Sequence, residues 1–218
     1  MSATNDSITV TPGSGATIAT HSPGDGKEYQ VVMIADQRGE LLDGQERYRL
    51  IVPSQAVGAN KVYWDLFLDG ASSKILRILS VFVYPDIDTA VTGTLGVEAI
   101  LTRTSAIGTG GTAATANSTS LTAPTFAYMD LNNTNILTHA SARSAPTGGA
   151  TAGAYMGSRW VFTEETNAGS ALSAGQGADL IRNEGSDVIV RPGTGLRGLQ
   201  GTVASVGQLA WEINFELS

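Results

Sequence analysis

The side chains that could carry out catalysis are few and scattered in this sequence. Only His21 and His139 could act as a general base, and Ser173 in "ALSAG" is the serine nearest to a hydrolase nucleophile motif. That motif needs a glycine two residues before the serine, because the strained turn leaves no room for a side chain, and this chain has Ala171 there. We therefore interpret Ser173 as a loop residue and both histidines as surface or capping groups.

Carboxylates occur close together at three places. Asp86-Ile87-Asp88 would present two carboxylates on one side of an extended chain and could hold calcium, but no further oxygen ligands are patterned around them. We interpret this pair as a solvated turn, and Glu164-Glu165 as a solvated strand end. Asp65 and Asp69 lie in one alternating segment. Glycoside hydrolysis would need two carboxylates that face one bond, an arrangement that the sequence leaves open.

Glycine clusters in two similar stretches that resemble phosphate-binding loops at first sight. They are "IGTGGTAATA", which begins at Ile107, and "ARSAPTGGATAGAYMGSRW", which begins at Ala142. A phosphate loop needs main-chain N–H groups aimed into a cavity, a lysine to meet the charge and a helix that follows. Neither stretch has a lysine at the required place, and the residues after Gly111 do not predict a helix. We therefore interpret both stretches as loops.

Each glycine stretch begins near an arginine, Arg103 in the first and Arg143 in the second. Our hypothesis is that the two stretches are equivalent excursions from strand ends, and that each guanidinium anchors its loop on a carboxylate. Residues 105–125, 143–157 and 167–178 are predicted as long loops rich in Gly, Thr and Ala, because they contain too few large apolar side chains to pack a core of their own.

The three tryptophans of the chain differ in their sequence surroundings. Trp64 and Trp211 lie in segments of alternating hydrophobicity, which predicts that both are core residues. Trp160 has Tyr155 and Phe162 nearby in the sequence. We interpret this group as core or interface packing, and a sugar-binding surface is the alternative.

Short alternating segments predict a chain built from β-strands. The clearest is 208–217, in which five apolar residues alternate with polar or small ones. Residues 61–69 alternate in the same way, and Asp69-Gly70 predicts a hairpin to the apolar segment 75–84. Further strands are predicted at 30–36, at 48–52 with Pro53 as its end, at 91–104, at 160–163 and at 186–191.

These patterns predict an all-β fold, a β-sandwich or jelly-roll-like body. A helix is the alternative for 75–79, but the β-branched and aromatic residues 81–84 favour a strand. Residues 176–183 are predicted as one short helix. Residues 1–28, broken by Gly and Pro, are predicted as an extended N-terminal arm, and residues 29–218 as a single β-sandwich domain.

The amino-acid composition bears on whether the partner is a protein, a nucleic acid or a membrane. The 218 residues carry a net charge of −7, and charged residues make up only 15% of them, against about 25% in ordinary soluble proteins. Such a surface costs little to desolvate and suits a subunit packed against other subunits. Thirteen scattered Lys and Arg argue against a nucleic-acid partner. The absence of cysteine excludes disulfides and Cys-based zinc sites. The N-terminus predicts no secretory signal, and the short apolar runs predict no membrane partner.

The combination of an arm, a strand-rich body, glycine loops and a charge-poor surface resembles virion structural proteins of tailed bacteriophages. "VTPGSGATIATHSPGDGKEYQVVMIAD" is similar to their arm and first strand. "LTRTSAIGTGGTAATANSTS" and "ARSAPTGGATAG" are similar to their loops, and "GLRGLQGTVASVGQLAWEINFE" to their closing strands.

The resemblance implies a capsid decoration or cement protein, with a tail or baseplate component as the alternative. It implies that the protein is not an enzyme and has no catalytic, cofactor-binding or metal-binding residues to assign and no cofactor. The partners implied are copies of itself, as a trimer by analogy, and the major capsid protein. The location implied is the virion, assembled in the host cytoplasm. A carbohydrate- or receptor-binding module stays open as a different class, and it would need exposed aromatic residues near Trp160.

Overall fold

The computed structural model describes residues 20–21, 29–30, 46–86, 96–120, 122–130, 132–149, 151–163, 177–181 and 188–218. The chain divides into two compact units, Met1–Asp43 and Gly44–Ser218. In the first unit, strand β1 (Thr20–His21) pairs antiparallel with β2 (Tyr29–Gln30). The division into an arm and a body at residue 28 stays a prediction, and the predicted strand 30–36 lies outside the described residues except for Gln30.

Nearly all the regular secondary structure in the described part of the second unit consists of β-strands. They are β3 (Glu46–Ala56), β4 (Val62–Leu68), β5 (Leu76–Asp86), β6 (Gly96–Thr104), β7 (Thr112–Ala113), β8 (Thr115–Ala116), β9 (Thr125–Tyr128), β10 (Ala140–Ser144), β11 (Thr151–Phe162), β12 (Ala178–Asp179), β13 (Val188–Val190), β14 (Gly195–Gln200) and β15 (Gln208–Leu217). A single turn of 3-10 helix, Ile136–Thr138, precedes β10.

The strands form two sheets that pack face to face. Sheet I has the order β12-β5-β15-β3-β9-β8, and β13 also pairs with β5. Sheet II has the order β11-β6-β14-β4-β10-β7. The pairs are antiparallel except for β8 with β9. The prediction of an all-β sandwich is confirmed.

The path of the chain between the sheets is that of a jelly roll, in which eight strands wind as two Greek keys. β3, β4, β5 and β6 alternate between sheet I and sheet II, and β11 then pairs beside β6. β12 and β13 return to β5, β14 inserts between β4 and β6, and β15 inserts between β5 and β3. The strands from β7 to β10 extend the sheets beyond β3 and β4.

The core lies between the inner faces of the two sheets and is centred on aromatic residues. Trp64 of sheet II meets Trp211 of sheet I edge to face, with ring centroids 5.9 Å apart. Tyr48 stacks on Phe215 at 5.7 Å, and Phe126 meets the same ring edge to face at 6.1 Å. All five side chains are buried. Burying each such side chain contributes about 1.5–3 kcal/mol, and the paired rings add to that.

Strand β15 confirms the alternation seen in the sequence, and it lies in the middle of sheet I. Leu209, Trp211 and Phe215 are fully buried, and the strand pairs along its length with β5 on one side and β3 on the other. Its outer face is less exposed than a polar pattern suggests. Glu216 is buried because Arg47 and Arg77, its partners in the two neighbouring strands, lie 2.8 and 3.5 Å from its carboxylate.

The predicted hairpin at Asp69-Gly70 is wrong. β4 belongs to sheet II and β5 to sheet I, so the chain crosses from one sheet to the other after Leu68. The sequence shows a turn between two apolar strands, but a crossing between sheets needs the same turn residues as a hairpin. The strand prediction for residues 75–79 is confirmed in β5.

Pro53 does not end its strand, because β3 continues to Ala56. The ladder between β3 and β15 shifts register between the pairs Val52↔Trp211 and Gln55↔Leu209, which places Pro53 in the irregularity. On the other side, the pairing of β3 with β9 ends at Ile51. Proline is tolerated there because the ladder does not require its missing N–H.

Two further predictions are wrong where the structure describes the chain. Residues 143–157 include the end of β10 and the first half of β11, because main-chain pairing with a neighbouring strand does not require large side chains. Where the helix was predicted at 176–183, the described residues 177–181 contain the short strand β12 instead. Asp179 Oδ1 accepts the Val81 and Ile181 N–H groups, and Leu180 enters the core.

Candidate functional site

A buried ion pair lies on the outer face of sheet II, away from the core between the sheets. Asp65 of β4 and Arg197 of β14 are directly opposite each other in the ladder, and both are buried. Arg197 Nε donates to Asp65 Oδ1 at 2.6 Å, and its Nη2 donates to Oδ2 at 2.9 Å. This two-bond arrangement is the strong form of an Arg–carboxylate contact.

The two glycine stretches form the cover over this ion pair. The Gly108 N–H donates to Asp65 Oδ2 at 2.7 Å, and the Gly148 carbonyl accepts from Arg197 Nη2 at 3.1 Å. The two loops also bind each other, because Thr109 and Thr147 exchange main-chain hydrogen bonds of 2.9 and 2.7 Å. The N–H that a phosphate loop would offer to a ligand is therefore bound to the protein's own carboxylate.

Glycine is required in this cover for steric reasons. A Cβ on Gly108 would lie 2.9 Å from Asp65 Oδ2, and a Cβ on Gly149 would lie 2.3 Å from Arg197 Nη2. Gly149 also has a φ of 83°, which L side chains rarely adopt. Strand β7 follows Gly111 where a phosphate loop would have a helix. The stretch predicted as one long loop also contains β8, so it includes two short strands.

The two arginines near the loop starts bind main-chain carbonyl groups. Arg143 Nη1 donates to the Gly110 carbonyl at 2.9 Å, so this arginine does hold the first loop. Arg103 Nη1 donates to the Ile189 carbonyl at 2.6 Å and connects sheet II to β13 of sheet I. Burial lowers the pKa of Arg103. The arginine that anchors the loops on a carboxylate is Arg197.

A groove with a volume of about 260 Å³ opens on the outer face of sheet II beside the loop cover. Its lining combines apolar and polar side chains: Phe67, Asp69, Ile107, Leu137, His139, Ala140 and Ser141. Phe67 and Ser141 are directly opposite in the β4–β10 ladder and form the floor. Ile107 comes from the glycine loop, and Leu137 comes from the 3-10 helix on the other side.

His139 and Asp69 both reach this groove, whereas Asp65 does not face Asp69 as a catalytic pair. His139 occupies the C-cap of the 3-10 helix through its backbone N–H, which donates to the Ile136 carbonyl, and its Nδ1 lies 3.2 Å from Ser72 Oγ. The Asp69 N–H donates to the His139 carbonyl at 2.8 Å. Asp69 is exposed at the end of β4, while Asp65 is buried against Arg197.

Strand β11 carries three large aromatic side chains that are exposed, which we name the aromatic surface: Tyr155, Trp160 and Phe162. Their exposed fractions are 66%, 53% and 62%. They lie opposite Thr102, Glu98 and Gly96 of β6, on the outer face of sheet II. An ideal Cβ on Gly96 would stand 3.4 Å from the Trp160 ring and 3.5 Å from the Phe162 ring, so both rings lie over this glycine. These residues are not core, which leaves the interface and sugar-surface interpretations.

A polar cluster closes the sandwich near the start of β3. Thr134 Oγ1 donates to Glu46 Oε2 at 2.5 Å, and the Tyr48 hydroxyl also donates to this carboxylate. Burial alone would raise the pKa of Glu46, but the hydrogen bonds from Thr134 and Tyr48 outweigh it and lower that pKa. Burial raises the pKa of Tyr48, and the Glu46 carboxylate adds to the increase.

The other sequence candidates are not brought together in the described residues. The side chain of His21, and Ser173, Asp88 and Glu164-Glu165, lie outside the residues that the structure describes. In the described ranges, no group of three or more His, Asp or Glu side chains could hold a metal ion. No helix in those ranges is both long enough and apolar enough to cross a bilayer.

Comparison of the chain with protein-family profiles, with curated proteins and with solved structures found no match. The assignment of function therefore depends on the geometry of the groove, the aromatic surface and the fold.

The ion pair and the groove were missed by sequence reasoning. One signal was present: Arg197 in "GLRGLQ" and Asp65 in "KVYWDLFLD" are single charges inside apolar segments. Such isolated charges need a partner when their strands are buried. The groove had no comparable signal, because its walls come from separate segments around 67, 107 and 137–141.

Proposed function

We propose that this chain is a non-enzymatic structural protein of a virion, which binds neighbouring copies of itself and the major capsid protein in the manner of a decoration or cement protein. The observation that carries the proposal is the aromatic surface on β11. A tail or baseplate component is the alternative within the same class, and the same surface would serve it.

The aromatic surface has the composition of a protein interface. Tyr and Trp are among the residues that dominate the binding energy of such interfaces, and β11 contributes Tyr155, Trp160 and Phe162. Exposing three large aromatic rings on one strand is unfavourable in water. A partner that covers them would remove this cost.

The edge of β11 offers a second mode of contact. Of the described strands, only β6 forms a ladder with β11. The twelve residues of β11 contain neither Lys nor Pro, the residues that commonly prevent edge strands from pairing with other chains. An added strand from a neighbour would bind through main-chain hydrogen bonds. The predicted N-terminal arm, which could reach roughly 90 Å if extended, would be able to supply such a strand.

The fold and composition support the same role. Jelly rolls occur in viral capsid proteins and also in lectin domains, and a fold by itself decides between neither. The low content of charged residues, 15%, makes large contact areas cheap to desolvate. The resemblance of the sequence to phage virion proteins favours the capsid role over the lectin role.

Sedimentation velocity tests the proposed binding of the chain to copies of itself. It compares the purified wild-type chain with the double variant Trp160→Ser/Phe162→Ser. We expect the wild type to form an oligomer and the double variant to sediment as a monomer with an unchanged far-ultraviolet circular dichroism spectrum. Leu79→Ser, which changes an exposed apolar residue of sheet I, is the control and should still associate. A double variant that associates like the wild type would exclude this surface as the interface.

The location is tested by immunogold electron microscopy of virus particles produced by the host that carries the gene. Gold on the heads supports the decoration role, and gold on the tails supports the alternative. Particles without label, while the antibody detects the free protein in the same lysate, would overturn the virion assignment.

A further inference from the structure

We propose that the groove on the outer face of sheet II is a binding site for a neutral pyranose ring. This inference depends on the groove alone and goes beyond the proposed function, because it concerns residues that are not part of the aromatic surface.

The floor and walls of the groove provide an apolar surface for one face of a sugar ring. Phe67 is half-buried, and it lies directly across the ladder from Ser141. Ile107 and Leu137 form the walls at its sides. A pyranose presents axial C–H groups on one face, and these pack against an aromatic ring and aliphatic side chains as any apolar surface does.

The polar side chains are placed for the hydroxyl groups around the ring edge. Asp69 Oδ1 already accepts the Ala71 N–H at 2.9 Å, but a carboxylate has about four acceptor positions, so it has capacity for sugar hydroxyls. His139 Nδ1 faces Ser72 Oγ, which leaves Nε2 as its second polar atom. Ser141 adds a hydroxyl that can donate and accept. Few convergent polar groups on an apolar lining are typical of ligand sites.

Both walls of the groove are held in place before any ligand binds. Ile107 precedes Gly108, whose N–H is bound to the buried Asp65, so the ion pair fixes this wall. Leu137 lies in the 3-10 helix, where its N–H donates to Asn135 Oδ1 at 3.2 Å. The Asp69 N–H bond to the His139 carbonyl fixes the two polar residues relative to each other. A preformed site loses little conformational freedom on binding, which favours affinity for a small ligand.

The chemistry of the lining argues against other small ligands. Asp69 would repel phosphate and other anions. A purely apolar ligand would leave the Asp69 carboxylate and the His139 imidazole desolvated without partners. An ammonium group would meet Asp69 but only one aromatic ring, Phe67, where cation-binding cages use several. The volume of about 260 Å³ suits a ligand of the size of one sugar ring.

Saturation-transfer NMR and calorimetry with the full chain would test this proposal. The probes are the methyl glycosides of glucose, galactose, mannose and N-acetylglucosamine, with choline and inorganic phosphate as charged comparisons. We expect at least one neutral glycoside to bind with millimolar affinity and to bind more tightly than choline or phosphate.

Variants connect the binding to the groove. Phe67→Leu keeps an apolar floor but removes the aromatic ring, and Asp69→Asn keeps the acceptor for Ala71 while removing the charge. Each is expected to weaken glycoside binding roughly tenfold, the effect of about 1.4 kcal/mol. Leu79→Ala, at an exposed position of sheet I away from the groove, is the matched control and should bind the glycoside like the wild type. Trp160→Ala tests whether the sugar binds at the aromatic surface instead.

Three results would overturn the proposal. The first is that none of the neutral glycosides gives a saturable signal. The second is that choline or phosphate binds more tightly than every glycoside. The third is that Trp160→Ala abolishes glycoside binding while Phe67→Leu does not, which would move the sugar to the aromatic surface. None of these results changes the sedimentation of the Trp160→Ser/Phe162→Ser variant, so failure of this proposal is distinct from failure of the proposed function.

Discussion

Asp65 is buried as a charge, and three donor groups make that burial tolerable. Arg197 contributes two N–H donors and Gly108 contributes one, at distances between 2.6 and 2.9 Å. Buried charges are stable only when they are paired and hydrogen-bonded. The pair lies 132 positions apart in the sequence, so the types of the two residues could be noted in advance but their contact could not be predicted.

Removing one partner of this pair is expected to cost more than removing both. Arg197→Met would leave the Asp65 carboxylate buried without its main donors and should lower the free energy of unfolding by about 3–5 kcal/mol. The double variant Asp65→Leu/Arg197→Met should recover much of that loss, because no uncompensated charge remains. Urea unfolding followed by tryptophan fluorescence measures both.

Arg191→Met, at an exposed turn, controls for the loss of one positive charge and should change the unfolding free energy little. If the double variant is as unstable as Arg197→Met, the loss of stability comes from losing the ion pair's contacts with the loop cover and not from an unpaired buried charge.

Glu46 gives a prediction on pH dependence. Its pKa is lowered below the ordinary value of 4.5 in the folded protein. A carboxyl group of this kind adds stability that is fully present above 4.5 and is lost as the pH falls through the folded-state pKa. The melting temperature of Glu46→Gln should therefore lie below that of the wild type at about pH 7, and the difference should vanish as the pH falls below 4.5 through the folded-state pKa.

Thermal unfolding followed by circular dichroism at a series of pH values provides the measurement for Glu46. Asp130→Asn removes one negative charge from an exposed turn and controls for net charge. A difference that grows on acidification would contradict the assigned direction of the pKa change.

At the scale of elements, the sequence predicted strands by hydrophobic alternation and failed where side chains are small. β4 and β15 were predicted because large apolar residues alternate in them, and β5 was predicted because its β-branched and aromatic residues favour a strand. β10 (Ala140–Ser144) was missed because "ASARS" has no large apolar residue. Its inner-face residues Ala140, Ala142 and Ser144 are buried but small, so the sequence shows no hydrophobic alternation there. The sequence could not show whether the turn at Asp69-Gly70 joins two paired strands or two strands of different sheets, because both connections use the same turn residues.

The close approach of β14 to the core tryptophan gives a prediction for strand packing. A Cβ on Gly198 would lie 2.2 Å from Trp64 Nε1 and 2.5 Å from Cε2. Gly198→Ala must therefore displace the indole ring or the strand, and should lower the free energy of unfolding by about 1–3 kcal/mol. Gly58→Ala is the control, because its nearest neighbour would be Lys61 Cβ at an ordinary 3.7 Å.

Equilibrium unfolding in urea compares the two glycine variants, and near-ultraviolet circular dichroism reports on the Trp64 environment. Equal stabilities for Gly198→Ala and Gly58→Ala would show that β14 can move outward without cost.

For the whole molecule, the fold class followed from composition and alternation, whereas the functional surfaces did not. Strand-rich patterning predicted a sandwich, and the winding of the strands makes it a jelly roll. The exposure of Trp160 and Phe162 could not be derived from their sequence, because the same strand pattern with the opposite face inward would bury them. The groove depends on the meeting of three segments, which only the tertiary fold provides.

Truncation tests the division of the chain into units. The buried core residues of the described part all lie between Tyr48 and Leu217, so a fragment of residues 44–218 is expected to fold by itself. Its melting temperature should lie within about 4 °C of the full chain, equivalent to about 1 kcal/mol. Deletion of residues 1–28 should likewise leave a folded body, and by the arm hypothesis that body should no longer assemble with its partners.

Differential scanning calorimetry and sedimentation velocity measure these two effects separately. Loss of the strand signal in the far-ultraviolet spectrum of either truncated protein would contradict the independence of the body. Unchanged assembly after deletion of residues 1–28 would contradict the role assigned to the arm.

The positions of β14 and β15 have a consequence for biosynthesis. Each of them lies between two strands that are translated much earlier: β14 between β4 and β6, and β15 between β3 and β5. At 5–20 residues per second, β3 must wait roughly ten seconds or more after its own translation before β15 leaves the ribosome. During that interval each sheet lacks the strand that later lies at its centre, so the neighbouring strands have unpaired main-chain groups. The nascent chain is therefore the form that most needs chaperones.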